Sequence, residues 1–236
     1  MIEDEEQFNK QSARGFYGRR AGKGLRGRQA ELMAAFDDHP ATFQMTDTPP
    51  TGVSELFRQP IKSVWLESGF GGGEHLLHRA EENPDIGFIG VEPFRNGMSK
   101  ALFTLEEKGF TNVALYAEEA GPLLDWLPAN SIDGFYLLYP DPWPKKRHFK
   151  RRFVSQKNLE RIARVLKSGA DFRFASDISS YIDWTLDLCT KSQSFEWLDK
   201  DLENARNPWP NWPGTRYESK ALKHGRIPHY LTFRTR

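Results

Sequence analysis

Residues 64–74 read VWLESGFGGGE, a short apolar run that leads directly into a glycine-rich turn. Glycine adopts positive φ angles without steric cost, and its missing side chain lets a ligand lie against the backbone. A turn of this kind between a strand and a helix is typical of nucleotide-binding sites, where the ligand meets the start of the helix. The stretch therefore predicts a strand, a ligand-binding turn and a helix.

The same alternation of apolar runs and helical patterns continues along the chain. The predicted strands are 64–68, 86–92, 112–117, 132–139 and 171–176, and the predicted helices are 74–82, 96–108, 120–127, 154–167 and 179–188. This order predicts βαβ units, hence an α/β fold with a mostly parallel sheet that is covered by helices on both faces. An alternating run at 227–234 predicts an edge strand in an antiparallel hairpin that completes the sheet.

Length and composition favour one folded domain. The chain has 236 residues, of which 38% are apolar, enough for a single buried core. No apolar run is long enough for a transmembrane helix, and the first residues are acidic, so we expect a soluble, cytoplasmic protein with no membrane partner. The single cysteine, Cys189, excludes a disulfide framework and a cysteine-based zinc site, and no metal is expected.

The net charge of +1 conceals two basic clusters. Residues 14–28 contain six cations and no acid, and so do residues 145–152. Concentrated cations on a neutral body indicate a surface that binds a polyanion. Residues 1–50 also show little hydrophobic periodicity and end at two prolines. We therefore predict a flexible basic N-terminal arm over 1–50 and one domain over 51–236.

Acidic residues after the first three strands indicate which nucleotide binds. A dinucleotide fingerprint needs glycine at position 74, where Glu74 would repel a pyrophosphate. An acid before the glycines, Glu67, instead suits S-adenosylmethionine, which is cationic and has no phosphate. Glu92 is placed to bind the ribose hydroxyls, and Glu119 to reach the adenine. The predicted cofactor residues so far are Glu67, Gly69, Gly71, Gly73, Glu92 and Glu119.

The fourth strand ends in YPDPWPKKRH, residues 139–148. Its prolines would fix a loop that holds the carboxylate of Asp141 and the indole of Trp143 over the methyl donor. An indole can stack on a base, and the cations of residues 145–152 can bind phosphates. The segment predicts a methyltransferase whose substrate is RNA.

These motifs resemble those of the bacterial tRNA (guanine-N7)-methyltransferase family over most of the chain, from about Gly15 to the C-terminus. The matching motifs are E-x-G-F-G-x-G at 67–73, P-D-P-W-P-K-K-R-H-x-K-R-R at 140–152, Asp177, and T-x-x-E at 215–218. Two positions depart from the family pattern, because Glu119 stands where Asp is usual and T-R-Y-E where T-K-F-E is usual. Both departures keep charge and aromatic character, so the activity is still expected.

The resemblance implies a doubly wound, Rossmann-like sheet of seven strands and methyl transfer to the guanosine at position 46 in the variable loop of tRNA. It implies Asp141 as the active-site residue, which also borders the cofactor. The implied substrate contacts are Lys145, Asp177, Thr215, Arg216, Tyr217 and Glu218. Because guanine N7 has no proton to lose, Asp141 is expected to stabilise positive charge or hold the base, not to act as a general base. A monomer or weak homodimer is expected.

Three other functions remain open at this stage. A methyltransferase acting on an exocyclic amine of RNA would carry D-P-P-Y, but Trp143 stands at the second proline. A catalytically idle tRNA-binding protein would not need to keep the acids Glu67, Glu92 and Asp141, all of which are present. A nicotinamide-dependent oxidoreductase is disfavoured by Glu74. His75 and His78 are more readily explained as a solvated helix face than as metal ligands, and Trp209 and Trp212 could stack on tRNA or cap the sheet.

Overall fold

The computed structural model describes residues 17–236; residues 1–16 lie outside the described part. In chain order its helices and strands are α1 (Arg28–Ala34), β1 (Ser63–Ser68), α2 (Glu74–Glu82), β2 (Ile86–Val91), α3 (Arg95–Lys108), β3 (Val113–Tyr116), α4 (Ala120–Trp126), β4 (Ile132–Leu138), α5 (Gln156–Val165), β5 (Leu166–Ser176), α6 (Ser179–Lys191), β6 (Phe195–Trp197), α7 (Arg216–Lys223) and β7 (His229–Thr235). Short 3₁₀ turns occur at Phe36–Asp38, Val53–Leu56, Lys146–Arg151 and Asn204–Arg206.

These strands form one seven-stranded sheet in the order β3-β2-β1-β4-β5-β7-β6. The first five are parallel, and β7 runs antiparallel to both β5 and β6. The order reverses direction between β1 and β4, where ligands bind in doubly wound sheets. The predicted doubly wound α/β fold is confirmed.

Two local features differ from the predicted elements. Helix α5 ends at Val165 and β5 begins at once, earlier than predicted, with a shift in register against β4 between Ile132 and Gly134. The last two strands are not a tight hairpin, because residues 198–228 separate them. That long connection contains α7, which lies beside the site described below.

Each face of the sheet buries its own apolar cluster. On one face α1, α2 and α3 contribute Leu32, Leu76 and Met98 to a cluster that includes the strand residue Phe88. On the other face α4, α5 and α6 contribute Leu123, Ile162 and Tyr181, among others. Helices therefore cover both faces, as the alternation of elements predicts.

The N-terminal residues differ from the predicted flexible arm wherever the structure describes them. Helix α1 packs on α3, and Leu32, Met33 and Phe36 are almost fully buried. Residues 41–43 pair with the outer edge of β3 through backbone hydrogen bonds to Leu115. A few apolar residues are enough to pack this segment on the domain. In the sequence their pattern is hard to recognise because Gly and Arg residues surround them. The part of the predicted arm in residues 1–16 lies outside the described residues.

Among residues 17–236, no helix combines the length and the apolar character that crossing a membrane requires.

Candidate active site

A cavity of about 810 Å³ opens at the carboxyl ends of the parallel strands. Residues at the ends of four strands line it: Ser68, the last residue of β1, with Gly69 directly after it, Glu92 after β2, Glu119 after β3 and Asp141 after β4. Parallel strands end at the same edge of the sheet, so side chains far apart in sequence converge there. The volume suits a nucleoside-sized ligand.

The glycine turn has the backbone conformation that its sequence predicts. Gly69, Gly71 and Gly73 have φ angles of 76°, 61° and 85°, in the left-handed region. Gly69 and Gly71 line the cavity, whereas Gly73 precedes α2 and does not. A side chain on Gly73 would press on Ala101 and Leu77, so this glycine allows α2 and α3 to pack closely.

The sequence did not identify Gly97, a residue of α3 that packs directly against the glycine turn. A Cβ on Gly97 would lie 2.1 Å from the carbonyl oxygen of Gly71. Helix α3 can therefore pass directly beneath the turn only because position 97 has no side chain. A lone glycine inside a helical pattern is the signal that could have identified it.

Glu92 holds the turns after β1 and β2 together. Its carboxylate accepts hydrogen bonds from the backbone N–H groups of Gly71 (2.7 Å) and Phe94 (2.9 Å). Burial raises the pKa of Glu92 to about 7, although both backbone bonds act in the opposite direction. A carboxylate accepts more than two hydrogen bonds, so Glu92 keeps capacity for a ligand in the cavity.

Glu119 and Asp141 are the other two acids that line the cavity. The carboxylate of Glu119 pairs with Arg20 at 2.8 Å, and its side chain is 11% exposed. Asp141 is open to the cavity yet surrounded by protein atoms, and this partial desolvation raises the pKa of its carboxyl, against the lowering effect of Arg19. Of the predicted cofactor residues, Gly69, Gly71, Glu92, Glu119 and Asp141 thus lie together.

Glu67 lies outside the lining of the cavity. Its Oε2 is 2.6 Å from Nδ1 of His75, and both side chains are 3% exposed. The explanation of His75 as part of a solvated helix face is therefore wrong, since this ring packs against Tyr136 and Trp212. Within the described residues no cluster of His, Cys, Asp and Glu is arranged to hold a metal ion.

The loop after β4 has a strained backbone on either side of Asp141. Tyr139 and Trp143 have φ angles of 48° and 42°, a region that residues other than glycine rarely adopt. The guanidinium of Arg151 lies 5.0 Å from the ring centroid of Trp143 and 5.0 Å from that of Tyr17. The indole predicted to stack on a base therefore lies beside a cation and a second aromatic ring.

The basic segment after this loop contains two kinds of cation. Lys145, Lys146, Arg147 and Lys150 are exposed, as a phosphate-binding surface requires. Arg152 is 3% exposed and donates hydrogen bonds to the carbonyl oxygens of Pro142 and Ser180. The prediction that all six cations of this cluster bind phosphates is therefore wrong for Arg152, which fixes the loop to α6.

The T-x-x-E motif forms the start of α7. The Oγ1 of Thr215 accepts a hydrogen bond from the backbone N–H of Glu218 at 3.1 Å, and the Glu218 carboxylate accepts one from the N–H of Thr215, which is a capping box. The same carboxylate accepts bonds from Trp212 and Tyr230 at 2.6 and 2.5 Å. These contacts present Tyr217 to the cavity, which it lines.

The other predicted substrate residues lie around the cavity without lining it. Asp177 forms an ion pair with Arg226, which ties the end of β5 to the segment after α7. Arg216 donates to the hydroxyl of Tyr217 at 2.9 Å, and Lys145 is exposed. The two tryptophans whose role the sequence leaves open pack within the fold, since Trp209 donates to Thr232 and Trp212 to Glu218.

Residues 61–230 match a protein family described as putative methyltransferase. The chain is similar to the tRNA (guanine-N(7)-)-methyltransferases of Agrobacterium fabrum (50% identity, covering 97% of this chain and 98% of the relative) and Bartonella henselae (52% identity, covering 95% and 97%). Among solved structures it resembles the 16S rRNA methyltransferase KamB, with a TM-score of 0.54 and 17% identity over 81% of this chain and 95% of that one. That likeness concerns the fold alone.

Proposed function

The chain belongs to the tRNA (guanine-N(7)-)-methyltransferase family, and from that premise we propose that it methylates N7 of the guanosine at position 46 in the variable loop of tRNA, with S-adenosylmethionine as the methyl donor. The observation that carries the proposal is the convergence of the glycine turn, Glu92, Glu119 and Asp141 on one cavity beside exposed cations. The cytoplasmic location and the monomeric or weakly dimeric state remain predictions from the sequence.

The residues of the cavity fit this cofactor. Glycines without side chains leave the backbone of the turn accessible, and the acids Glu92 and Glu119 line the cavity, where they could accept hydrogen bonds from ribose hydroxyls and an adenine amino group. The three carboxylates at the ends of the strands favour a cationic group beside them. When bound, the cofactor supplies an electrophilic methyl group on a sulfonium centre.

The protein residues of the site contribute to catalysis by positioning the guanine and by stabilising charge. Guanine N7 attacks through a lone pair, so the reaction needs no general base and depends on alignment. The methylated base is cationic, and Asp141 is suited to stabilise the developing charge or to accept hydrogen bonds from guanine N1 and N2. We propose Lys145, Asp177 and the Thr215–Glu218 segment as substrate contacts. Within that segment Thr215 and Glu218 also form the capping box that fixes the start of α7.

The test is methyl transfer to an unmodified tRNA transcript with guanosine at position 46. The purified protein is incubated with this transcript and methyl-labelled S-adenosylmethionine, and the digested nucleosides are identified by mass spectrometry. We expect label in 7-methylguanosine, and none with a transcript that carries adenosine at position 46. Label in another nucleoside would reassign the base-binding site, and cofactor binding without label would support an idle tRNA-binding protein.

The raised pKa of Glu92 predicts a pH-dependent affinity for the cofactor. An ionised carboxylate accepts hydrogen bonds from ribose hydroxyls, and burial raises the pKa of Glu92 to about 7. Cofactor affinity should therefore increase as the pH rises through about 7 and level off about one unit higher. Because the folded pKa lies above the ordinary value of 4.5, the contribution of Glu92 to the free energy of unfolding should fall as the pH rises from about 4.5 to about 7 and stay constant above that.

Isothermal titration calorimetry with S-adenosylhomocysteine between pH 6 and 8.5 measures this dependence. The Glu92→Gln variant is the control, since it cannot ionise, and its weaker binding should change little with pH. An affinity of the unsubstituted protein that stays constant over the range would contradict the assignment of Glu92.

The exposed cations of the basic segment predict a salt-dependent step in tRNA binding. Replacing Lys145, Lys146 and Arg147 by glutamine should raise the KM for tRNA about tenfold and flatten the dependence of log KM on log salt by about two to three units. The melting temperature should stay near that of the unsubstituted protein because all three side chains are exposed.

The buried Arg152 provides the matched control. Arg152→Gln removes one cation of the same cluster but breaks the bonds to Pro142 and Ser180, so it should lower the melting temperature and leave the salt slope nearly unchanged. A triple variant with an unchanged salt slope would remove these three residues from the RNA site.

A further inference from the structure

Residues 17–23 form a strap across the cavity that carries the predicted cofactor residues. Tyr17, Gly18 and Arg19 line the cavity. The strap is anchored to the first turn of α3, because the carbonyl oxygen of Arg20 accepts a hydrogen bond from the backbone N–H of Arg95 at 2.9 Å. Asn96 adds two bonds, accepting from the N–H of Gly22 and donating to the carbonyl of Lys23, each at 2.7 Å.

The side chain of Arg20 reaches from this anchor to the end of the neighbouring strand. Its Nη1 lies 2.7 Å from Glu118 and its Nη2 lies 2.8 Å from Glu119. Arg20 is 25% exposed and Glu119 is 11% exposed, so the contact is partly shielded from water. One residue thus joins the turn after β2, which contains Glu92, to the turn after β3, which contains Glu119.

The other end of the strap contacts the loop after β4. Tyr17 packs edge-on against Trp143 with 6.2 Å between ring centroids, and Arg151 lies 5.0 Å from both rings. The positive charge of Arg19 lowers the pKa of Asp141 against the effect of burial. The strap therefore spans the cavity from the proposed catalytic loop to the proposed adenine-binding acid.

We propose that Arg20 is a positioning residue of the cofactor site, which acts by fixing the carboxylate of Glu119 toward the adenine and by holding the strap over the bound nucleoside. The inference rests on the proposed function only through the identity of the cofactor. Two adjacent carboxylates repel each other, and a planar guanidinium that pairs with both removes this repulsion and sets their orientation. An acid that is oriented before the ligand arrives loses less freedom on binding, which increases affinity.

The test compares two arginines of the N-terminal segment that each pair with two acids. Arg20→Gln breaks the contact with Glu118 and Glu119 at the cavity. Arg28→Gln is the matched control, because Arg28 pairs with Glu31 at 3.2 Å and Glu106 at 2.5 Å and does not line the cavity. The measurements are the Kd for S-adenosylhomocysteine by calorimetry, the melting temperature, and kcat and KM with tRNA.

Arg20→Gln should raise the Kd for S-adenosylhomocysteine and the KM for the cofactor about tenfold, with kcat at saturating cofactor changed by less than about twofold. Its melting temperature should stay close to that of the unsubstituted protein, since partly exposed ion pairs add little to stability. Arg20→Lys should give an intermediate Kd, because lysine keeps the charge without the fork that meets two carboxylates. Arg28→Gln should leave the Kd unchanged.

An unchanged Kd for Arg20→Gln would overturn the proposal. A lower Kd would also overturn it, because it would show that the strap competes with the ligand. An equal rise in Kd for Arg28→Gln would also overturn it, because the effect would then belong to the packing of the whole N-terminal segment. Failure of the proposed function would look different, since the unsubstituted protein would itself not bind S-adenosylhomocysteine or would not label tRNA.

Discussion

Replacing Asp141 by alanine is expected to reduce kcat by about 10²- to 10³-fold, the range seen when one stabilising group is removed from a preorganised site. Asp141 lies after β4 in the cavity that also contains the glycine turn, between Tyr139 and Trp143, whose strained backbone persists only because surrounding contacts fix the loop. Positive charge develops on guanine as N7 takes the methyl group, and a fixed carboxylate in a partly desolvated cavity stabilises it. The measurement is the single-turnover rate with saturating tRNA and cofactor.

The Asp141→Asn variant separates the two roles proposed for this carboxylate. If charge is the main contribution, the asparagine variant should be as slow as the alanine variant. If the carboxylate chiefly accepts hydrogen bonds from guanine, asparagine should recover part of the rate, since its amide oxygen is still an acceptor. Kd for S-adenosylhomocysteine should rise less than about tenfold in both variants, because other residues of the site are intact. A single-turnover rate near that of the unsubstituted protein would remove Asp141 from the reaction.

The residues that the sequence located correctly share one physical reason. Glu92, Glu119 and Asp141 each follow a strand of a parallel sheet, and the ends of such strands meet at one edge whatever the details of packing. The alternation of apolar runs was therefore enough to predict that these acids share one cavity. The glycine turn was equally predictable, since its φ angles require residues without a Cβ.

The sequence does not give the direction in which a side chain points. Glu67 precedes Ser68, the last residue of β1, and because successive side chains of a strand alternate between faces, Glu67 contacts His75 and does not line the cavity. Its role as a cofactor residue stays a prediction. Arg152 belongs to a run of cations, yet its guanidinium is buried on the carbonyl groups of Pro142 and Ser180. Composition and spacing do not distinguish a cation that binds phosphate from one that binds backbone carbonyls.

The N-terminal segment was misread because its structural role depends on contacts across the sequence. Arg20 meets Glu118 and Glu119, about a hundred positions away, and α1 is held by a few apolar residues that pack on α3. A single sequence with many Gly and Arg residues is also typical of flexible segments. Only the folded structure shows that Arg20 has acidic partners at the end of β3.

The substitution Gly97→Ala is expected to have the largest effect on stability. A methyl group usually stabilises a helix interior by about 1 kcal/mol relative to glycine. Here its Cβ would lie 2.1 Å from the carbonyl oxygen of Gly71 and 2.9 Å from its carbonyl carbon, both backbone atoms that no rotamer change can move away. We expect the free energy of unfolding to fall by about 3 kcal/mol, the upper part of the usual range for overpacking. For a chain of this length that corresponds to a melting temperature lower by about 6 to 12 °C.

The same substitution should weaken cofactor binding, since the displaced Gly71 donates its N–H to Glu92. Calorimetry with S-adenosylhomocysteine below the melting temperature measures this effect, and a rise in Kd of more than about tenfold is expected. Gly52→Ala is the control, because a Cβ at that position would make only an ordinary contact of 3.6 Å with Ser54. If Gly97→Ala melted at or above the temperature of the unsubstituted protein, α3 would have to sit farther from the glycine turn than the structure shows, and the support that Gly97 gives to the cofactor site would be disproved.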